Sequence, residues 1–212
     1  MPFIASDKGG SDFEPIPSGL HHAVCYAVID IGTQPATGNF PSRRKVVFVW
    51  ELPEERADFK KDGQQVNLPR AISQRFTASL ASKGNLRPFL NSWRGRAFTE
   101  QELEGFDLFN AAGANCMLNI IHEPKGDKTY ANISSITPLP KGMAKTTPEN
   151  PILKFSIDEW SGTTDLPAMP DWIKKLVMQS DEYIKKAQQP GHTAHSEGNP
   201  STLPEDSDSV PF

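Results

Sequence analysis

The first 137 residues contain five segments in which apolar residues alternate with polar ones or form short continuous runs. Residues 45–52 (KVVFVWEL) are apolar on both faces, a pattern typical of a central strand. Residues 128–136 (KTYANISSI) alternate, with Ala131 and Ile133 on one face and polar side chains on the other. Turn residues bound these segments, which favours strands over buried helices. The predicted strands are residues 21–32, 45–52, 68–80, 115–123 and 128–136.

The pattern changes between the third and fourth predicted strands. Residues 85–93 and 99–108 are predicted to be helical, and Thr99 with Glu102 fits a capping box. Residues 124–127 (PKGD) provide a hairpin loop between the last two strands. The order β-β-β-α-β-β predicts a mainly β fold, the five-stranded OB barrel with its helix between strands three and four. An SH3-like barrel is the nearest alternative, but it lacks a helix of that length there.

Prolines separate this β-rich part from the rest of the chain, because 10 of the 19 prolines fall within residues 138–212. Residues 188–212 carry no Lys or Arg and are rich in Pro, Gly, Ser and Thr, a composition that predicts disorder. The expected organisation is an N-terminal extension at 1–17, the OB domain at 18–142, a connector with an amphipathic helix at 143–187, and the tail at 188–212.

The predicted amphipathic helix covers residues 170–187 and follows a Pro-rich connector. Ile173, Leu176, Val177 and Ile184 lie on one stripe of this helix, and its four lysines lie off the stripe. An apolar stripe of this width has to be covered, so we expect the helix to pack on the barrel. The alternative is a homodimer formed through the same face.

Composition excludes several classes of protein. No apolar run approaches the ~20 residues of a membrane-spanning helix, and residues 1–10 have no apolar core of a secretory signal. The two cysteines, Cys25 and Cys116, cannot form a disulfide scaffold and predict buried thiols in a reducing cytoplasm. The net charge of −4 by itself argues against a polyanion-binding protein.

The positions of the cations argue the other way. In an OB barrel the ligand surface consists of strands 2 and 3 and the loops joining strands 1–2 and 4–5. In this chain the first of these loops ends in three consecutive cations and carries an aromatic residue. Cations that follow phosphates and aromatic faces that stack on bases are the parts of a single-stranded nucleic-acid site. The predicted contact residues are Phe40, Arg43, Arg44, Lys45, Trp50, Arg70, Arg75, Lys83, Arg87, Trp93, Arg94, Arg96, Lys125, Lys128 and Tyr130.

The aromatic residues of this set differ in how well the sequence supports their exposure. Trp50 shares the parity of Val46 and Phe48, so the pattern supports a core position as well as a stacking one. Trp93 ends a predicted helix beside two arginines and either packs or stacks. Phe40 and Tyr130 are the residues that we expect to be exposed. The alternative interpretation of the basic triplet at 43–45 is that it belongs to a solvated loop without a binding role.

The tail ends with an acidic run followed by Val210, Pro211 and Phe212. A terminal aromatic ring can enter an apolar pocket while its carboxylate meets a cation of the partner. Pro211 restricts the free chain, and upstream acids attract a basic surface. The predicted partner-binding residues are Asp206, Asp208, Val210, Pro211 and Phe212.

On these residues the sequence resembles bacterial and bacteriophage single-stranded DNA-binding proteins. The tail is similar to the acidic tip of bacterial members, with Ser207 and Ser209 interrupting the acids and Val210 where those proteins have Ile. The stretches 85–99 and 136–142 are more similar to a set of phage replication-region proteins. That second resemblance covers roughly residues 18–187. The resemblance implies an OB fold and a phage protein that works in the host bacterial cytoplasm.

The expected function is therefore sequence-tolerant coating of single-stranded DNA during phage replication, recombination and repair, with recruitment of partner enzymes by the tail. The alternative is an interaction protein that imitates the host tip and diverts host enzymes. No Walker A, dinucleotide-binding or hydrolase motif is present, so no enzyme, cofactor or metal is expected. A metal nuclease using Asp30, Asp107 and Glu123 is less favoured.

The tail also changes the meaning of the net charge. Its acids are Glu197, Glu205, Asp206 and Asp208, and with no cation they account for the whole −4. Residues 1–187 are then neutral, and residues 1–142 are positive by one charge. The acidic total is an average over a near-neutral domain with basic loops and an acidic tail, so nucleic-acid binding remains compatible with it.

Overall fold

The computed structural model describes residues 14–61, 64–162 and 165–188, apart from the side chains of residues 60 and 61. A mainly β fold is present, with helical segments between the third and fourth strands and after the sixth. The strands are β1 Gly19–Gln34, β2 Arg43–Lys61, β3 Gln64–Thr77, β4 Asn115–Lys125, β5 Lys128–Pro138 and β6 Leu153–Phe155. The helices are α1 Leu86–Arg94, α2 Glu100–Glu104, α3 Asp171–Met178 and α4 Asp181–Ala187, with a 3₁₀ turn at Leu108–Ala111.

The strands form one six-stranded sheet with the order β3-β2-β1-β4-β5. Long β1 pairs with β4 through its first half and with β2 through its second half, and all neighbours on this path are antiparallel. Short β6 pairs in parallel with β1 at Ala27–Ile29. The predicted OB barrel is not confirmed, because β3 and β5 lie at the two ends of this path and the sheet is open between them.

The five predicted strands and the helical region between the third and fourth are present in the predicted order, but the sheet also contains β6, which was not predicted as a strand, and several bounds are longer or shorter than the pattern indicates. Strand β2 continues nine residues past Leu52 as a polar hairpin with β3, after an irregularity in register between Leu52 and Arg56. The single helix predicted at 170–187 is two helices, because Ser180 ends α3 and caps α4 by accepting a hydrogen bond from the amide of Tyr183 at 3.2 Å. Ile184 is consequently exposed rather than on the buried stripe.

One side of the sheet holds the larger core. Alternate residues of β1, β2 and β4 point to it, and α1 covers it with Leu86, Leu90 and Trp93. Phe48 and Trp50 are fully buried at its centre, where their rings stack with centroids 5.8 Å apart. Because β2 is apolar on both faces, its other residues need a second cover.

The C-terminal segment provides that cover. Ile29, Val47 and Val49 on the other side of β1 and β2 pack against β6, Trp160 and α3. Ile173 and Val177 of α3 are fully buried there. The sheet is thus a middle layer, with α1 on one side and α3 on the other. Among the described residues, no helix has both the length and the apolar character that crossing a membrane requires.

Candidate nucleic-acid interface

A cleft of about 1050 Å³ opens where β3 and β5 leave the sheet unpaired. Residues 71–77 of β3 form one wall and residues 129–133 of β5 form the other. The β1–β2 loop and the loop before α1 lie at its rim, and α3 contributes Trp172 and Leu176. An open site of this size accommodates an extended, flexible ligand better than an enclosed small molecule.

The charged residues of the described lining are all basic. They are Arg43 and Lys45 at the start of β2, Arg75 in β3 and Lys83 in the loop before α1, and no Asp or Glu is among the lining residues. Arg43 and Lys83 are exposed, whereas Lys45 and Arg75 are half-buried. In a chain with a net charge of −4, this one-sided lining makes the cleft attractive to an anion.

The cleft passes around the edge of β3, so both faces of that strand contribute to it. Ile72, Gln74 and Phe76 point towards the larger core, while Ser73 and Arg75 lie on the opposite face, on which α3 carries Trp172. The register pairs Thr77 with Lys45, which puts Lys45 and Arg75 on the same face. Lys45 and Arg75 therefore lie on the side of the sheet that carries α3, whereas Lys83 belongs to the loop before α1.

Two of the predicted aromatic residues line this cleft. Phe40 is 78% exposed at the tip of the β1–β2 loop, where its amide and carbonyl exchange hydrogen bonds with Thr37 at 3.0 Å. Tyr130 is half-buried in the opposite wall on β5. An exposed phenylalanine at a loop tip has no packing role in the fold, and its face is accessible to a flat ligand such as a base.

Arg44 does not face the cleft, contrary to the prediction that treated residues 43–45 as one basic cluster. Its side chain is ion-paired with Asp30 and, at 2.6 Å, with Asp158. The hydrogen bond to the Asp30 carboxylate raises the pKa of Arg44 above its ordinary value, with the Asp158 contact acting in the same direction. Because side chains alternate between the two faces of a strand, Arg44 lies on the opposite face of β2 from Arg43 and Lys45.

The stacking roles predicted for Trp50 and Trp93 are wrong. Trp50 is 0% exposed, and Trp93 is 6% exposed with its indole nitrogen donating to the Asn115 carbonyl at 3.3 Å. Their ring centroids lie 5.5 Å apart inside the core. A base could reach either ring only if α1 left the sheet.

Three of the predicted arginines are held by other parts of the protein. Arg70 donates to the Glu14 carbonyl, and burial lowers the pKa of Arg70. Arg94 pairs with Glu102 and lies over the Phe98 ring, 4.2 Å from its centroid, and Arg96 reaches the same carboxylate at 2.8 Å. None of the three lines the cleft, and neither do Arg87, Lys125 and Lys128, the last two at the exposed tip of the β4–β5 hairpin.

Sequence reasoning did not select some residues that the fold brings to the cleft. Trp172 belongs to a helix far along the chain, and only the packing of α3 against β1 and β2 brings it to the cleft. Gln74 and Asn132 supply amides to the two walls. The sequence pattern shows which face of β3 or β5 each of these residues lies on. It does not show that β3 and β5 are open edges of the sheet, so it could not select their polar residues as part of a site.

The described part of the chain contains no cluster of side chains suited to a metal ion. No group of three or more His, Cys, Asp or Glu residues lies together there, so Asp30, Asp107 and Glu123 do not assemble into a metal centre. Cys25 and Cys116 are buried free thiols, and burial raises the pKa of each. The predicted tail residues Asp206, Asp208, Val210, Pro211 and Phe212 lie outside the described residues.

Comparisons of the chain with protein-family models, curated proteins and solved structures give no significant match. The functional argument therefore rests on the cleft and its chemistry.

Proposed function

We propose that this protein binds single-stranded DNA in the cleft between β3 and β5. The observation that carries the proposal is the lining itself, which combines four cations, no described acid and the accessible rings of Phe40 and Tyr130. Cations neutralise phosphates and aromatic rings stack on bases of any sequence. The bound DNA has to be single-stranded, because the bases of a duplex do not expose their faces.

The fold supports the same conclusion. We infer an OB-type barrel that is open between β3 and β5, because β1 pairs with both β2 and β4 and α1 connects β3 to β4. OB folds are partly open barrels that bind oligonucleotides on strands 2–3 and the adjoining loops. Here those positions are the wall of β3 and the β1–β2 loop with Phe40 and Arg43.

A titration of labelled oligo-dT at several salt concentrations tests the proposal. If the four cations each neutralise one phosphate, the logarithm of the binding constant falls with the logarithm of salt with a slope of about −3, at ~0.7 per contact. Oligo-dT should bind more tightly than a duplex of equal length. Absence of oligo-dT binding at low salt would refute the function and favour a protein-binding role for this domain.

Neighbouring arginines provide a matched pair for this titration. Arg43→Ala removes a cation from the cleft, so we expect the salt slope to become shallower by about 0.7. Arg44→Ala makes the same change of charge outside the cleft and breaks the pairs with Asp30 and Asp158 that hold the start of β2. It should lower thermal stability and affinity but leave the slope unchanged, because the slope counts the phosphates contacted. Equal effects of the two variants on the slope would remove Arg43 from the site.

We also propose that residues 206–212 recruit partner proteins. The acids Asp206 and Asp208 are suited to a basic surface, and the apolar Val210, Pro211 and Phe212 to a pocket within it. With the resemblance to phage and bacterial single-stranded DNA-binding proteins, this division suggests a DNA-coating protein of phage replication or recombination. The cleft would hold the strand, and the acidic segment would bring enzymes to it.

A further inference from the structure

The base of the β1–β2 loop is fastened to the C-terminal helices. Before the loop, Thr33 contacts Glu182 of α4, and the Gln34 amide donates to the Leu176 carbonyl of α3 at 2.9 Å. After the loop, Arg44 pairs with Asp158. The loop between these anchors carries Phe40 and leads directly into Arg43, both of which line the cleft.

Glu182 is the charged member of the anchor that precedes the loop. Its two carboxylate oxygens accept hydrogen bonds from the Thr33 amide and the Thr33 hydroxyl, each at 2.7 Å. Although burial opposes ionisation, these bonds keep the pKa of Glu182 below its ordinary value, so the carboxylate is charged at neutral pH. Two charge-assisted bonds from one side chain fix both the position and the direction of the chain at Thr33.

The neighbouring backbone is shaped for this contact. Gly32 has φ +69°, and a Cβ atom there would lie 2.6 Å from Ser180 Cβ and 2.7 Å from Glu182 Oε2. Only glycine therefore lets the start of α4 approach the chain this closely. Gly32 N–H donates to Asp30 Oδ1 at 3.0 Å, which links the turn to the Arg44 anchor on the other side.

We propose that Glu182 is a positioning residue for the cleft, holding the β1–β2 loop so that Phe40 and Arg43 face the bound strand. This inference rests on the proposed function. It assigns to α4, outside the predicted OB domain, a direct influence on binding. Without the contact between Glu182 and Thr33, only a fraction of the protein molecules would have the loop in the binding position. The apparent affinity would then be the intrinsic affinity multiplied by that fraction.

The sign of the effect separates positioning from electrostatics. Removing an acid from a protein that binds a polyanion should strengthen binding, since one repulsive charge is lost. We expect Glu182→Gln instead to weaken oligo-dT binding by about three- to tenfold, as the competent fraction falls. Glu159→Gln, which removes an exposed acid from the same C-terminal segment, should change affinity by less than about twofold.

A ligand-free measurement tests the loop itself. A nitroxide spin label at Asn39→Cys would report the mobility of the exposed loop, because Cys25 and Cys116 are buried and burial raises the pKa of each thiol. Glu182→Gln and Thr33→Val should mobilise the label, while Thr33→Ser, which keeps the hydroxyl, should restore the wild-type spectrum. Thermal unfolding of each variant would verify that it is folded.

The outcomes separate this inference from the proposed function. An unchanged spectrum in Glu182→Gln, or binding as tight as wild type, would overturn the positioning role while DNA binding stands. A wild-type protein that binds no oligo-dT would overturn the proposed function, and the spin label would then still decide whether Glu182 holds the loop.

Discussion

Gly32 illustrates how one residue connects distant parts of this chain. The sequence marks it only as the end of a predicted strand, but the structure places it against Ser180 and Glu182. Its positive φ and the missing Cβ are both needed there. Gly38 has a similar φ of +55°, but a Cβ atom at that position would have no neighbouring atom within 4 Å, so the two glycines differ only in their surroundings.

This difference gives a prediction for two alanine variants. Gly38→Ala should lower the free energy of unfolding by about 1 kcal/mol, the cost of a left-handed conformation for a residue with a Cβ. Gly32→Ala adds a steric clash with α4 and should cost about 2–4 kcal/mol. Urea denaturation measures both values. Equal losses in the free energy of unfolding for the two variants would show that α4 can move away from residue 32 without an energetic cost.

Single residues also show why a basic sequence is not the same as a basic surface. Arg43, Arg44 and Lys45 are consecutive, but only the first and third line the cleft. Strand alternation could have predicted that Arg44 points away from its neighbours. The ion pair with Asp158 could not be predicted, because it depends on the path of the chain after β6.

At the scale of elements, the local signals were reliable and the ends of elements were not. The capping box is present as predicted, since Glu102 N–H donates to Thr99 Oγ1 at 3.2 Å and Thr99 N–H donates to Glu102 Oε2 at 2.9 Å. The polar half of β2 was missed because residues 53–61 lack an apolar face. Main-chain hydrogen bonds to β3 extend β2 through these residues, and they do not require an apolar face.

Glu102 also predicts how stability depends on pH. The hydrogen bond from Arg96, then those from Thr99 and Arg94, lower the pKa of Glu102 from 4.5 to about 2. The unfolded chain therefore takes up this proton at a higher pH than the folded protein. The stabilisation by the ionised carboxylate is complete above about pH 4.5 and is lost as the pH falls towards 2.

We therefore expect Glu102→Gln to be less stable than wild type at neutral pH, with a difference that shrinks as the pH falls from 4.5 towards 2. Urea denaturation at a series of pH values measures this difference. Glu104→Gln, at an exposed position of the same helix, is the control and should show little pH dependence. A constant difference for Glu102→Gln would mean that its charge makes no contribution.

At the scale of the whole molecule, the sheet has apolar residues on both faces, and each face has its own cover. The segment that follows the predicted domain boundary at residue 142 packs on the sheet. Residues 153–177 bury Ile29, Val47 and Val49, so the C-terminal helices belong to the same folded unit. The same helices carry Trp172 to the cleft and Glu182 to the loop.

The division of charge leads to a prediction for the tail. A chain ending at Gln188 loses four acids and no cation, so its oligo-dT affinity should be equal to or higher than that of the full chain. An immobilised peptide of residues 200–212 should retain proteins from a bacterial extract, and Phe212→Ala should abolish that retention. Weaker DNA binding by the shortened chain would contradict a separate recruiting role.

The sequence by itself determined the features that depend on near neighbours. Apolar periodicity located the strands, Thr99 and Glu102 marked a helix start, and the charge count separated the tail from the rest. These signals are local because side-chain alternation and capping involve residues a few positions apart. They also brought forward two aromatic residues of the cleft, Phe40, which is exposed, and Tyr130, which is half-buried rather than exposed as predicted.

Only the tertiary structure decided which of the candidate residues can act together. It placed Trp50 and Trp93 in the core, paired Arg44 with Asp30, and brought Trp172 to the cleft that Arg75 also lines. It also left β3 and β5 as open edges, which defines the cleft. The physical reason is that a pattern shows which residues share a face of a strand, whereas the cover on that face comes from segments far away in the chain.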